Sequence, residues 1–269
     1  MKWMKYRFIY LLISGTLIIA GVFSTIKWGF NVGIEFTGGS SLEYRLPDGS
    51  IKTFKEKEIT DGRKAEIKAN LEKEVGGEVT EVGFENIGPT VGPETVKRTI
   101  YALVISTSAI LLWIAYQFKN YKFGVSATLA TLHDSIILIG SFSLLGHFFG
   151  AEIDFLFVTA LLTILSFSVH DTIVVFDRIR EMSKGSIKRV SELADIAVSE
   201  TMVRSINNSF TIIFMLLALI LLGGDSIRWF AVALLIGTVS GTYSSPFVAV
   251  SILVTWDEIA RKIRLKKTK

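Results

Sequence analysis

The sequence predicts an α-helical membrane protein of six transmembrane helices, with a small α+β extracytoplasmic domain between helices one and two. Three observations predict it. Half of the 269 residues are hydrophobic and the mean hydropathy is +0.48. Six apolar stretches reach the roughly 20 residues that a hydrocarbon core of about 30 Å demands of a helix. The basic residues gather on one side of the topology those stretches define.

The spans run approximately from Phe8 to Ile26, Ile100 to Phe118, Phe123 to Phe149, Phe155 to Phe176, Ile206 to Leu222 and Trp229 to Trp256. Their apolar runs are continuous, whereas strands of a membrane barrel alternate and are shorter, so helices are expected. Lys2, Lys5 and Arg7 precede the first span, as they would in a signal peptide. Its long apolar run, with no Ala-x-Ala site after it, favours a retained helix.

Residues 27–98 mix acidic and basic side chains and read as a folded polar domain. Ser41 to Leu46 alternates like a strand and meets a Pro47-Asp48-Gly49 turn. Thr60 is a helix cap, Ala65, Ile67, Leu71 and Val75 mark one helical face, and Gly76-Gly77 ends it. Glu78 to Phe84 reads as a second strand. A unit this small buries little surface, so it is expected to lean on a partner or on the membrane helices.

The other connections are short, except 177–205, which is amphipathic and basic and is expected to form one or two helices along the inner membrane surface. The organisation is then 1–26 for the N-terminus and first helix, 27–98 for the extracytoplasmic domain, 99–256 for helices two to six, and a basic tail over 257–269.

A net charge of +4 could suggest nucleic acid, but the placement of the charges argues against it. Lys2, Lys5 and Arg7, then Lys119 and Lys122, Arg178 to Arg204, and Arg261 to Lys269 share one side. The opposite turns hold Glu152, Asp154 and Asp225 with the lone Arg228. Both termini are therefore expected in the cytoplasm of a multi-pass plasma-membrane protein, with anionic lipid available to the tail. With no cysteine in the chain, disulfides, thiol nucleophiles and Cys-ligated zinc are excluded.

Ionisable residues inside a span are costly and mark function by default. Two His-Asp pairs stand out. His133 and Asp134 fall about 16 Å into the third span, with Thr128, Thr131 and Ser141 near the same helical face. His170 and Asp171 lie in the fourth, where Thr159, Thr163, Ser166 and His170 form a stripe beside Ser168. Both faces are expected to point inward. Arg204, Asn207, Asn208 and Thr211 give the fifth span a polar face from which Arg204 could reach Asp171. Burial favours the neutral acid and an approaching guanidinium the carboxylate, so Asp171 could load and release a proton. These residues fit three roles: proton relay, permanent structural pairing between helices, and metal binding.

Gly33 to Ser40, GIEFTGGS, leads into a strand and not into a phosphate-binding helix, so a nucleotide loop is not expected. Gly237, Gly241 and Pro246 read as packing and bending sites.

GIEFTGGS, IGPTVG at 87–92, HDS at 133–135, HDTIVVFDRIRE at 170–181 and RSINNS at 204–209 together resemble the SecF family of protein-export membrane subunits. The resemblance covers nearly the whole chain, and the FDRIRE string is its most specific part. It implies half of a resistance-nodulation-division-type assembly that works with SecD, using the proton-motive force to promote export of unfolded polypeptides through a SecYEG-type channel. The SecA motor would join it in a bacterium. It implies no enzyme activity and no cofactor. Asp171 and Arg204 match the family's proton-conducting positions, with His170, Asp134 and His133 as further relay candidates. Gly33, Glu35, Gly38, Gly39, Asp177 and Arg178 match its structural motifs. Glu35 stands where the family has Asp, and His170 where it often has Asn, either as a titrating group or as an amide substitute. The rival readings are a small-ion or metal transporter using the His-Asp pairs, and a passive scaffold.

Overall fold

A computed structural model describes residues 1–88, 91–118 and 120–267. Among the described residues, six helices are long and apolar enough to cross a membrane: Trp3–Trp28, Val91–Phe118, Tyr121–Phe149, Phe155–Ser183, Val190–Leu222 and Asp225–Lys266. The elements are α1 (Arg7–Trp28), the single turn α2 (Ile34–Thr37), β1 (Gly39–Arg45), β2 (Ile51–Glu56), α3 (Asp61–Val75), β3 (Thr80–Ile87), α4 (Val91–Phe118), α5 (Tyr121–Phe149), α6 (Phe155–Ser183), α7 (Val190–Leu222), α8 (Asp225–Ser244), a π-helical turn (Ser245–Ala249) and α9 (Val250–Lys267). The chain divides into two compact units. One comprises Met1–Asn31, Leu103–Ala151 and Leu156–Lys269; the other comprises Val32–Ala102 and Glu152–Phe155.

In the helical unit, small residues let backbones approach closely. α1 and α5 meet back to back at Gly21 and Gly140, where a side-chain carbon on Gly21 would lie 3.2 Å from the Gly140 Cα. Ser24 donates to Ser143 at 3.0 Å beside this contact, and Ser143 donates to the Gly29 carbonyl at 2.7 Å. Phe118, Phe123 and Phe176 form an aromatic cluster with centroids 5.2 to 5.7 Å apart. At the same end Arg7 makes a two-pronged bond to Glu258 at 2.9 and 2.6 Å, and Lys122 binds Asp257 at 2.7 Å.

Segment 177–205 does not form separate surface helices. Asp177 to Ser183 complete α6, and Val190 to Ser205 are the first half of a 33-residue α7. The apolar stripe that reads as lipid-facing is instead buried: Leu193, Ala194, Ala197 and Val198 pack with Met4, Phe176 and Ile179. Lys119, Thr268 and Lys269 of the basic clusters lie outside the described residues, as do Pro89 and Thr90 of IGPTVG.

The second unit is a three-stranded antiparallel sheet in the order β2-β1-β3, with α3 on one face. Leu42 sits opposite both Phe54 and Phe84 and is fully buried with Tyr44, Ile67, Leu71 and Val79. Thr60 caps α3 by accepting from the Arg63 amide, and Gly76 closes it in the left-handed conformation. Strand β2 is absent from the sequence expectation. Its apolar residues, Ile51 and Phe54, fall on opposite faces, so alternation does not reveal it. In the GIEFTGGS motif Gly38 and Gly39 take φ of 71° and 121°. A side-chain carbon on Gly92 would come within 2.8 Å of the Gly38 nitrogen and the Phe36 carbonyl. The IGPTVG and GIEFTGGS motifs are therefore packed on each other.

Candidate functional site

The two His-Asp pairs occupy opposite environments. Asp134, on α5, is 1% exposed and accepts from three serine hydroxyls, with His133 alongside. Ser168 of α6 donates at 2.5 Å, Ser240 and Ser244 of α8 each at 2.6 Å, and His133 Nδ1 lies at 3.0 Å. The three hydroxyls fill most of the roughly four acceptor positions that a carboxylate offers. His133 is also buried, and its Nε2 has no hydrogen-bond partner.

Close helix packing builds this cluster. A side-chain carbon on Gly241 would lie 3.4 Å from Ser168 Cβ and 3.9 Å from the Asp134 carboxylate, and one on Gly237 would overlap the Ile164 side chain. Gly237 thus leaves room for the Ile164 side chain, while a carbon at Gly241 would make ordinary contact.

Asp171 is 8% exposed and, among the described residues, accepts one hydrogen bond, from Ser205 of α7 at 2.5 Å. It lines a cavity of about 520 Å³ with His170, Arg204, Asn208, Thr242 and Tyr243. Arg204 is exposed and, among the described residues, makes no ion pair within 4.0 Å. The cavity thus holds a buried acid with a single donor and a cation without an anionic partner.

Hydrogen bonds tie the backbone around the two centres together. Thr172, beside Asp171, pairs with Ser245 at 2.9 Å, and Ser245 donates to the carbonyl of Ser168, whose hydroxyl binds Asp134. Ser245 opens the π-helical turn Ser245–Ala249, which contains Pro246. Proline has no N–H to donate, and the wide turn at this position is a common form of helix break at functional sites.

The expectation that both polar faces point inward holds for α5 at Thr131 and Asp134 but not for the α6 stripe. Thr159, Thr163, Ser166 and His170 are exposed, while the buried side of α6 carries Ser168, Asp171 and Thr172. An i, i+4, i+7 spacing defines a face without saying which way it turns. Arg204, Asn207, Asn208 and Thr211 are exposed on α7 as well. Among the described residues no group of three or more His, Asp or Glu converges to hold a metal.

At the end of α6, Asp177 binds Arg180 at 2.5 Å, Arg178 binds Glu200 of α7 at 2.6 Å, and Arg180 donates to the Gln117 carbonyl at 3.0 Å. These charges staple helix ends together. In the sheet-bearing unit, burial pushes the Glu35 carboxyl above its ordinary range, with Asp154 and Glu85 adding to the shift. The serines that serve the two acids went unmarked in the sequence, apart from Ser168. The string GTVSGTYSSP at 237–246, polar within an apolar span, is the signal that could have found Ser240 and Ser244, and Ser205 lies within the RSINNS motif.

The family model described as "Protein export membrane protein SecD/SecF, C-terminal" matches residues 67–259. A Protein translocase subunit SecF from Thermobaculum terrenum is 38% identical, with 94% of this chain and 93% of that protein covered. A Protein translocase subunit SecDF from Thermus thermophilus is 32% identical over 90% of this chain and 37% of its own length. The crystal structure of SecDF, a translocon-associated membrane protein from Thermus thermophilus, superposes with a TM-score of 0.86 at 29% identity. It covers 96% of this chain and 39% of that one.

Proposed function

The chain belongs to the SecD/SecF family of protein-export membrane proteins, and from that premise we propose that it is a proton-driven SecF-type subunit of the Sec translocase. It works with a SecD-type partner to promote export of unfolded preproteins through a SecYEG-type channel, with SecA on the inner side in a bacterium. Both termini are cytoplasmic and the sheet-bearing unit lies outside.

The observation that carries this reading is the Asp171 cavity, where a buried acid and a free arginine face one space. Movement of Arg204 toward the Asp171 carboxyl and away from it, with Ser205 holding that carboxyl, gives two arrangements of the cavity. Alternation between the two arrangements loads and releases one proton, and each proton crossing 100 mV supplies about 2.3 kcal/mol. His170 lies at the cavity edge and can pass protons to it. His133 and Asp134 are further relay candidates, with Asp134 bonded to Ser168 three residues from Asp171 on α6.

The exposed polar faces of α6 and α7 are poorly suited to lipid, and the fused SecDF relative supports a SecD-type chain as their cover. Replacing Asp171→Asn in the assembled complex in vesicles is expected to abolish proton flux and proton-dependent export while leaving assembly intact. Export at the parental level would sink the mechanism.

A further inference from the structure

Between α5 and α6, Glu152, Ile153 and Asp154, together with Phe155 at the start of α6, belong to the sheet-bearing unit. Each is held there. Glu152 pairs with Lys55 of β2. Ile153 forms a parallel bridge with Val32, and its carbonyl accepts from the Gly33 amide at 2.9 Å. Asp154 lies beside Gly33 and Glu35, since a side-chain carbon on Gly33 would fall 3.3 Å from Asp154 Cβ. Phe155 packs edge-on against Phe36 of α2 at 5.2 Å between centroids.

We propose that residues 152–155 are a drive link, through which movement of α6 is transmitted to the sheet-bearing unit; this rests on the reading that α6 responds to protonation of Asp171. The physical reason is lack of slack. Gly150 ends α5 in the left-handed conformation, and α6 begins at Phe155, so the connection from Gly150 to Phe155 spans at most about 18 Å even if fully extended. From Phe155 the helix runs unbroken to Ser183, with Asp171 about 24 Å along it. A rigid rod with the titrating group in its middle ends directly in a segment bridged to the chain at Val32 and Gly33. A passive hairpin turn would need none of the four attachments.

The chain has no cysteine, so the bridge can be locked cleanly. In the complete complex in vesicles, Val32→Cys with Ile153→Cys, once oxidised, is expected to retain export within about twofold, whereas two glycines inserted between Asp154 and Phe155 should lower export about tenfold with proton flux retained. Lys55→Glu should also lower export, and adding Glu152→Lys should restore it; this pair decides the matter if the insertion variant does not assemble. Export blocked by the disulfide, parental export by the insertion variant, or no rescue by the charge swap would each overturn the drive link. Proton flux surviving in Asp171→Asn would instead overturn the relay and leave the link's export results standing.

Discussion

His133-Asp134 and His170-Asp171 are the same dipeptide in the same kind of helix, and hydrogen bonding separates their roles. Asp134 is held by three serine hydroxyls from two helices with His133 beside them, while among the described residues Asp171 has one donor and faces a cavity. A group with most of its acceptor positions filled has little to gain from a change of partner, so Asp171 is the more responsive of the two. Glu35 provides a test by pH. Burial first, then Asp154 and Glu85, raise its folded value above the ordinary 4.5. The folded state therefore holds this proton to higher pH than the unfolded chain, and stability falls as pH rises from 4.5 through the raised value. Glu35→Gln removes the effect. Its unfolding midpoint in detergent, relative to the parent, is expected to climb over that window and then level off; a flat difference would contradict the burial of this carboxyl.

At the scale of elements, α8 sets the geometry of both centres. Gly237 leaves room for Ile164 of α6, Ser240 and Ser244 reach Asp134, and the π turn brings Ser245 to Thr172. A leucine at 237 would collide with Ile164, so Gly237→Leu is expected to cost about 1–3 kcal/mol by overpacking. Melting of the detergent-solubilised protein measures the loss, and Ile164→Ala should recover part of it. No recovery would mean that the contact with Ile164 is not what limits the approach. α7 makes the opposite point. Its first half reads as a surface helix by amphipathicity, yet the same stripe serves as a core face once Met4 and α6 lie against it.

For the whole molecule, orientation follows from the distribution of Lys and Arg. Ile187, between α6 and α7, is 103% exposed, and Ser226, at the start of α8, is exposed too. In intact cells a membrane-impermeant maleimide is expected to label Ser226→Cys and to leave Ile187→Cys untouched until the membrane is opened. The reverse pattern would invert the topology and place the sheet-bearing unit inside.

The six spans, the position of the polar domain between the first two, helix α3 with its caps and the pairing of motifs with a family all follow from the sequence. They rest on local properties: length of apolar runs, helical periodicity, capping residues and charge placement. Strand β2, the outward turn of the Thr159 to His170 stripe, the serine cradle of Asp134 and the attachment of 152–155 to the sheet-bearing unit were decided by tertiary structure. Each depends on which residue from a distant segment arrives opposite. Spacing fixes which side chains share a face, and only packing determines what that face meets.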